Sequence, residues 1–595
     1  MKRLGIFLCY DKDGIIDDYI TYLLDDIVKN LDELCIVSNG DLTAESIEKL
    51  DKYTASDIIF RSNEGFDAGA WRDVMVKHYG FDNLLNFDEI ILFNDSFFGP
   101  VYPFKKMFEK MDKKDIDFWG ITNHGEALNN DDLCPYENRP RYIQTYFLAF
   151  RKNLVKSNVF QKYWKKLPDY EEFKDLAYKH EAVLTKYFEE NGYKWESYVN
   201  TEDLEEEKEK ALSLHTYDMH NLVAYRGLPI IKRKAFKNTR KGNLKHNLSS
   251  ELSKTMSYLK ENTDYDVSLI YKYLLRIQDP GKIVENLNLV RIFPKTKIVN
   301  DKTDNKVLVL VHLYYDDIWD YAFDYLKNIP EYVDILITTD SYNKKEFFEK
   351  NIANKLVNDV KVLKIEARGR DMASLLVASR DIIKNYDYFC FMHDKKSQGK
   401  EYITIGSNFR DALWENNLAS QEYIEAIIKE FDDNPSLGVI VPPRIYHGTY
   451  FHAYLNDYWV VNYDIVLSLL NQMGIKTPIS KKTPPLSIGN CFWARYDALE
   501  PLFDLYFDYN DFPKEPMPGD GTISHALERI YGYVAASRGY YSEIVMTEEY
   551  GRSEMFNFNY MLTSTMKAIT SGKEQFLNYG TFITFYRLLK QYMGD

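Results

Sequence analysis

Short apolar runs rich in β-branched residues alternate with stretches of helical period along most of this chain. Residues 4–10 and 34–38 read as strands flanking a helical pattern over 15–29, and 57–60 supplies another strand. GFDAGAWRD (65–73) then opens a helix, and the strand EIILF (89–93) runs into Asn94-Asp95-Ser96. DFWGIT (117–122) continues the order. YIQTYFLAFRKNLVKS (142–157) reads as a strand leading into a helix, followed by a helix over 171–190 and the segment 226–236. Strands alternating with helices imply a largely parallel sheet.

The pattern occurs twice. LGIFLCYDKDGIIDDYITYLLDDI (4–27) matches VLVLVHLYYDDIWDYAFDYLKNI (307–329), and GRDMASLLVASRD (369–381) opens a second helix before the strand YFCFM (388–392) and His393-Asp394-Lys395. Asp67 and Asp371 lie 304 residues apart, and Asp95 and Asp394 lie 299 apart. Further strands are expected at 333–338 and 437–443, with a helix at 371–385. GNCFWARYDALEPLF (489–503) echoes the strand-to-helix segment of the first half. GDGTISHALERIYGY (519–533) resembles HEAVLTKYFEENGY (180–193), which sets Glu181 opposite Asp520, each at the start of a helix. The expected fold class is therefore α/β, a tandem duplication of a Rossmann-like, mainly parallel domain. Its boundaries are 1–237 for the first domain, 238–300 for a partly helical connector and 301–595 for the second. An insert at about 444–488 lengthens the second copy between its carboxylates, a natural place for an acceptor-binding element.

With 595 residues the chain exceeds a single core, and its 45% hydrophobic content can build sizeable ones. A formal net charge of −15 argues against a nucleic-acid binder. One local basic run, Lys232, Arg233, Lys234, Lys237, Arg240, Lys241 and Lys245, is either a solvated linker face or a contact for an anionic membrane surface. The acidic run 201–210 reads as an exposed helix. Five scattered cysteines without a CxxC spacing read as reduced core residues of a cytosolic protein. The first residues fit a strand, not a secretion signal, and the chain has no apolar run of about 18 residues. A cytoplasmic protein, at most peripheral to the membrane, is expected. The segment 576–593, aromatic with Arg587 and Lys590, either packs on the second domain or rests on the membrane interface.

The paired acidic positions suggest chemistry. In open α/β sheets ligands sit beyond the carboxyl ends of the strands, where Asp95 and Asp394 are expected. An Asp there is a turn former or a ligand for a divalent cation, Mg2+ or Mn2+, that neutralises a diphosphate and stabilises its departure. Asp67 and Asp371 follow Gly65-Phe66 and Gly369-Arg370 at a helix mouth. They serve as N-caps or hold a nucleotide whose diphosphate meets the helix N-terminus. Arg72 and Arg370 are placed to reach phosphate, as are Lys395 and Lys396 after Asp394. Glu181 and Asp520 are the candidate general bases, since a sugar hydroxyl needs a carboxylate to take its proton. Each is otherwise a residue favoured by a helix dipole. P-loop, zincin and serine-hydrolase signatures do not occur.

NEGFDAGAWRD (63–73), LFNDSFFGP (92–100), YIQTYFLAFRK (142–152), Glu181 and RGLPIIKRKAF (226–236) resemble the rhamnan synthesis F family. So do ARGRDMASLL (367–376), FMHDKKS (391–397), GNCFWAR (489–495) and PGDGTISHALE (518–528) in the second half. The resemblance implies two GT-A-like glycosyltransferase domains. It implies transfer of L-rhamnose from dTDP-β-L-rhamnose, or a similar nucleotide sugar, onto a lipid-linked oligosaccharide acceptor at the cytoplasmic membrane face. An α-product from a β-donor requires inversion. Asn94 and His393, beside the strand-tip aspartates, join the substrate-binding set in this reading. Neither strand end carries a full Asp-x-Asp, and the two sites differ around their acidic positions. The alternatives are transfer of another activated sugar or a polyol phosphate, and a non-catalytic glycan-binding scaffold.

Overall fold

The run Arg3–Cys9 forms the first strand, β1, buried at every residue, as befits a parallel strand covered on both faces. The structure, a computed structural model, describes residues 1–128, 134–204, 214–237, 251–296, 302–396, 403–444, 459–514 and 516–571. The chain divides into two units, Met1–Tyr273 and Leu274–Asp595.

In the first unit the strands after β1 are β2 (Glu33–Ser38), β3 (Ile59–Phe60), β4 (Glu89–Asn94), β5 (Phe97–Phe98) and β6 (Phe118–His124). There follow β7 (Ala127–Leu128), β8 (Asn138–Arg139), β9 (Tyr142–Ile143), β10 (Phe147–Arg151), β11 (Trp195–Val199) and β12 (Ile231–Lys232). The main sheet runs β11-β6-β10-β4-β1-β2-β3, with β9 on β6. All pairings along that path are parallel except those of β10, which is antiparallel to both neighbours. The chain builds outward from β1 through β2 and β3, then returns to the other side of β1 as β4. The β1/β4 boundary is thus the topological switch point where such sheets bind ligands.

The second unit repeats this plan. Its strands are β13 (Val290–Phe293), β14 (Val307–His312), β15 (Asp334–Thr339), β16 (Val360–Lys364), β17 (Tyr388–His393), β18 (Leu437–Val441), β19 (Phe492–Arg495) and β20 (Tyr541–Thr547). They are ordered β13-β20-β18-β19-β17-β14-β15-β16. Remove the edge strand β13 and the order is that of the first sheet, with antiparallel β19 in the place of β10. Backbone contacts give the register. The amide of Asp88 donates to the Lys2 carbonyl at 2.7 Å and that of Asp387 to the Lys306 carbonyl at 2.9 Å. Lys152 donates to Asp88 at 2.8 Å and Tyr496 to Asp387 at 3.0 Å. Asn94 therefore corresponds to His393, Asp95 to Asp394, and Tyr146 to Asn490.

The segment expected as a connector, 238–300, is shared out: the helix Glu251–Asn262 falls in the first unit and β13 joins the second unit's sheet. The insert is likewise no appendage. Trp459 and residues Val466, Leu469 and Leu470 of its helix Tyr463–Gln472 lie in the second unit's core with Phe389, Phe492 and Tyr531. Each buried aliphatic or aromatic side chain of this kind contributes about 1.5–3 kcal/mol. Residues 445–458 of the insert, 205–210 of the acidic run and the whole of 576–593 lie outside the described residues. The five cysteines are free thiols, all buried. Among the described residues no helix is long and apolar enough to cross a membrane.

Candidate active site

Both helices expected to open with an Asp start on a left-handed glycine. Gly65 has φ 68° and Gly369 φ 80°, a region glycine enters without steric cost. A β-carbon on Gly65 would come within 2.5 Å of Asp169, and one on Gly369 within 2.7 Å of the Phe512 ring. The glycine itself occupies the N-cap position in each case, so neither Asp caps its helix. Asp67 instead points to the strand tips: its Oδ2 accepts from the Asn94 side chain at 3.2 Å, and its Oδ1 from the Ala68 amide at 2.9 Å.

Asp95 follows β4 and is buried to 8% exposure. Its carboxylate accepts from the Tyr10 amide, just past β1, at 3.4 Å and lies 3.4 Å from the Arg233 guanidinium. Arg233 also bonds the Tyr19 hydroxyl, which donates to the Asp95 carbonyl at 3.0 Å. Next to it, Lys232 donates to Ser96 Oγ at 2.7 Å and stands 3.9 Å above the Tyr146 ring. Burial pulls the Lys232 ammonium down to about 7, although Glu181, Asp67 and Asp95 all act to keep it charged. Glu181 is half-buried and accepts from the Thr145 amide at 3.3 Å. Burial and then the charge of Asp67 push its carboxyl up. Burial likewise raises Asp67 and Asp95, the latter against Arg233. Three carboxylates thus converge on one lysine at the β1/β4 switch point.

Several expectations change. Lys232 and Arg233 belong to this cluster, not to a linker face or a membrane patch, and Lys234 acts electrostatically on Glu181. Arg240, Lys241 and Lys245 lie outside the described residues. Arg72 is tied to Asp73 at 2.8 Å, Asp169 at 2.8 Å and the Leu167 carbonyl at 2.8 Å. Those bonds take its donors away from Asp67 and Asp95. Glu181 stands at the N-cap of Ala182–Glu190, as expected, but helical turns run into it from upstream. It closes the wide turn Ala177–Glu181 between the helices Phe173–Leu176 and Ala182–Glu190, so no helix-start dipole accounts for it. Such π-type turns are frequent at functional sites.

In the second unit Asp394, also 8% exposed, accepts two amides past β14, from Tyr314 at 2.8 Å and Tyr315 at 2.7 Å. Burial pushes its carboxyl up to about 6 despite those bonds. His393 places Nδ1 2.9 Å from the Asp394 carbonyl and Nε2 2.8 Å from the Gly489 carbonyl. Two carbonyl acceptors require two N–H donors, which only the imidazolium has. Burial opposes that charge, but Cys491 and Asp371 raise the ring to about 10. Asp371 lies 4.0 Å from His393 Nε2 and accepts from Asn490 Nδ2 at 2.6 Å. Burial works against its ionisation, yet His393, Asn490, His312 and Lys395 hold it below the usual carboxylate range. Tyr531 donates to Asn490 Oδ1 at 2.6 Å and completes the chain.

Lys395 sits 4.2 Å above the Phe409 ring and acts on Asp371. Lys396 pairs with Asp317 instead. Arg370 is an exposed residue at φ 49°. Asp520 accepts from Asn462 of the insert at 2.8 Å and from the Gly521 amide at 2.9 Å, with Arg529 4.0 Å away. None of those partners belongs to the group around Asp371.

A divalent cation held by protein alone wants several oxygen ligands. Each strand tip offers one carboxylate, and a guanidinium stands beside Asp95 while two amides occupy Oδ2 of Asp394. Among the described residues no group of three His, Cys, Asp or Glu is placed to hold a metal. The donor set fits a protein-held metal poorly.

Fold and site define a class: a duplicated α/β protein with charged side chains gathered at the switch point of each sheet. More narrowly, the family model described as rhamnan synthesis protein F matches residues 34–540, and the chain belongs to that family. It is 28% identical over 233 residues to the uncharacterised protein WxcX of Xanthomonas campestris pv. campestris strain B100, covering 39% of this chain and 32% of that protein. It is 26% identical over 202 residues to the uncharacterised protein y4gN of Sinorhizobium fredii, covering 34% and 49%. The chain thus spans about a third to a half of the length of these curated relatives. Among solved structures, the apo glycosyltransferase GlyE of Streptococcus pneumoniae TIGR4 matches with a TM-score of 0.21 and 11% identity, over 67% of this chain and 87% of that one. Glucosyl-3-phosphoglycerate synthase of Mycobacterium tuberculosis, solved with Mn2+ and UDP, matches at 0.16 and 10%, over 26% and 58%. Overlaps this loose carry no argument.

Proposed function

We propose that each unit is a GT-A-like glycosyltransferase domain that transfers L-rhamnose, with inversion, from dTDP-β-L-rhamnose to a lipid-linked rhamnan. The observation that carries this reading is the run of contacts at the β1/β4 switch point from Asp67 through Asn94 and Ser96 to Lys232, with Arg233 on Asp95 and Glu181 acting on Lys232, in a chain of the rhamnan synthesis family. Lys232 and Arg233 supply positive charge where the departing diphosphate needs it. Asp67, held by Asn94, meets the ribose or base. Glu181, whose carboxyl is raised by burial and by Asp67, takes the proton of the attacking hydroxyl. The oxygen of that hydroxyl forms a bond to the anomeric carbon as the bond to the diphosphate breaks. The nucleoside diphosphate leaves with the electron pair. In the second unit His393 and Lys395 take the place of Lys232 and Arg233 as the positive partners. The acceptor places the enzyme at the inner face of the plasma membrane.

The test is incubation of the full chain with dTDP-β-L-rhamnose and a short lipid-linked rhamnoside, with linkage analysis of the product. A panel of other nucleotide sugars runs in parallel. α-Linked rhamnose in the product supports the reading. Turnover of a different donor alone, or of none, overturns the rhamnosyl assignment.

A further inference from the structure

Pairing Glu181 with Asp520 by sequence resemblance conflicts with the backbone register of the two units. The helix that carries Glu181 ends in a left-handed glycine, Gly192 at φ 89°, and the matching helix of the second unit ends in Gly539 at φ 84°. The Gly192 amide donates to the Glu189 carbonyl at 2.9 Å and the Tyr193 amide to that of Phe188 at 3.1 Å. Gly539 donates to Ala536 at 3.0 Å and Tyr540 to Ala535 at 3.0 Å. Both helices close with the same motif, which also ends Tyr463–Gln472 at Gly474, and what pairs these two copies is the strand that follows. Each copy leads into the strand that lies parallel on β6 or on its counterpart β18. Eleven residues before Gly192 stands Glu181, and eleven before Gly539 stands Glu528.

The local setting agrees. Glu181 sits where the helical ladder widens. Glu528 sits in the break between the helices Ile523–Leu527 and Tyr531–Ser537, and is half-buried. One turn along from it, Tyr531 bonds Asn490, which bonds Asp371, the counterpart of the Asp67 that acts on Glu181. Tyr531 feels the charge of both Asp371 and Glu528. Asp520, eight residues earlier in sequence, is anchored to Asn462 of the insert, a segment with no counterpart in the first unit.

We propose that Glu528, and not Asp520, is the proton acceptor of the second unit's site, an assignment that rests on the transferase reading above. An acceptor hydroxyl gives its proton to the Glu528 carboxylate as its oxygen bonds the anomeric carbon. The bond from that carbon to the diphosphate breaks, and the nucleoside diphosphate departs with the electron pair. Asp520 is left with a structural part, bracing the insert.

The test uses the full chain in the E181Q background, so that product reports the second unit. E528Q, E528D and D520N are added singly. Transfer is measured in single turnover, and the affinity for dTDP and for UDP by calorimetry. E528Q is expected to lower transfer at least about 100-fold, with E528D regaining about tenfold or more, as general-base loss predicts. Nucleotide affinity in E528Q stays level or tightens up to about threefold, because one negative charge near the anion is gone. D520N keeps transfer within about fivefold. Transfer lost in D520N but kept in E528Q overturns the assignment while leaving the transferase reading standing. So does equal loss in both, or a second unit that binds nucleotide but transfers nothing in this background. A wild-type chain that binds neither nucleotide sinks the transferase reading, and Glu528 with it.

Discussion

The two units share a sheet order and a strand-tip aspartate, yet they balance the same charge with different residues. In the first, the cations arrive from far downstream: Lys232 and Arg233 reach back beside Asp95 on β12 and the turn after it. In the second, the cation is His393, on the strand that precedes Asp394, with Lys395 just past it. The amide that holds the helix aspartate has also changed strands. Asn94 does this from β4, and its counterpart is His393. Asn490 does it from the loop into β19, and its counterpart is Tyr146. A duplicated backbone fixes where charge must be neutralised, and the neutralising group can come from whichever neighbouring element reaches that spot. Neutralisation is obligatory because an uncompensated buried carboxylate is strongly disfavoured.

The comparison can be broken most sharply at the proposed bases. E181Q should lower first-unit transfer about 1000-fold with nucleotide affinity little changed, read by single-turnover kinetics and calorimetry. A rate within tenfold of wild type would remove Glu181 from the chemistry. The next effect is on stability. N490A leaves the Tyr531 hydroxyl only its weak 3.8 Å bond to the Met372 sulfur and takes a donor from Asp371, and should destabilise the second unit by about 2–3 kcal/mol in urea unfolding. N94A breaks a longer bond, at 3.2 Å against 2.6 Å, and should cost about 1 kcal/mol. Equal losses would show that the two amides are equivalent after all.

The cations predict a difference in pH response. Lys232 titrates near 7, so it is charged below that pH and neutral above it, while His393 stays charged to about 10. Between pH 6.5 and 8.5 nucleotide affinity of the first unit should therefore fall about tenfold. The second unit should hold nearly constant, because Asp394, near 6, is already mostly ionised at the start of that range. Calorimetry in the single-site variants K232M and H393N, with Glu181 kept in both because it helps hold Lys232 charged, separates the two sites. Parallel profiles would refute the cation assignment. The smallest effect is at Arg72. Its donors are spent on Asp73, Asp169 and Leu167, so R72K should shift nucleotide affinity by less than about twofold.

Much of this scaffold is legible in the one-dimensional pattern. The apolar runs at 4–10, 34–38, 89–93, 307–312 and 388–392 all become strands, because a parallel strand covered on both faces must be apolar throughout. The repeat spacing of 304 and 299 residues located both strand-tip aspartates and both helix-mouth aspartates in matching places. The basic pair Lys232-Arg233 was visible too, but as part of a charge run, and a run reveals nothing about which of its members turn inward. Arg72 misled because it lies near Asp67 in sequence while its side chain leaves on another face of the helix.

The proposed move of the second base away from Asp520 has a related origin. Gly-Asp-Gly before a helix looks like an active-site loop, and resemblance over fifteen residues slid the alignment by eight. The paired helix ends at Gly192 and Gly539 supply the register on which the proposal sets Glu528 opposite Glu181.

The order of polar and apolar residues determined that this chain would fold as two α/β units of one kind, since burial of alternate elements is a local demand that each segment states for itself. Which carboxylates, cations and amides meet was decided in three dimensions. The partners of Asp67, Asp95 and Asp371 come from segments up to 165 positions away, and electrostatic compensation depends on distance in space, which sequence spacing does not record.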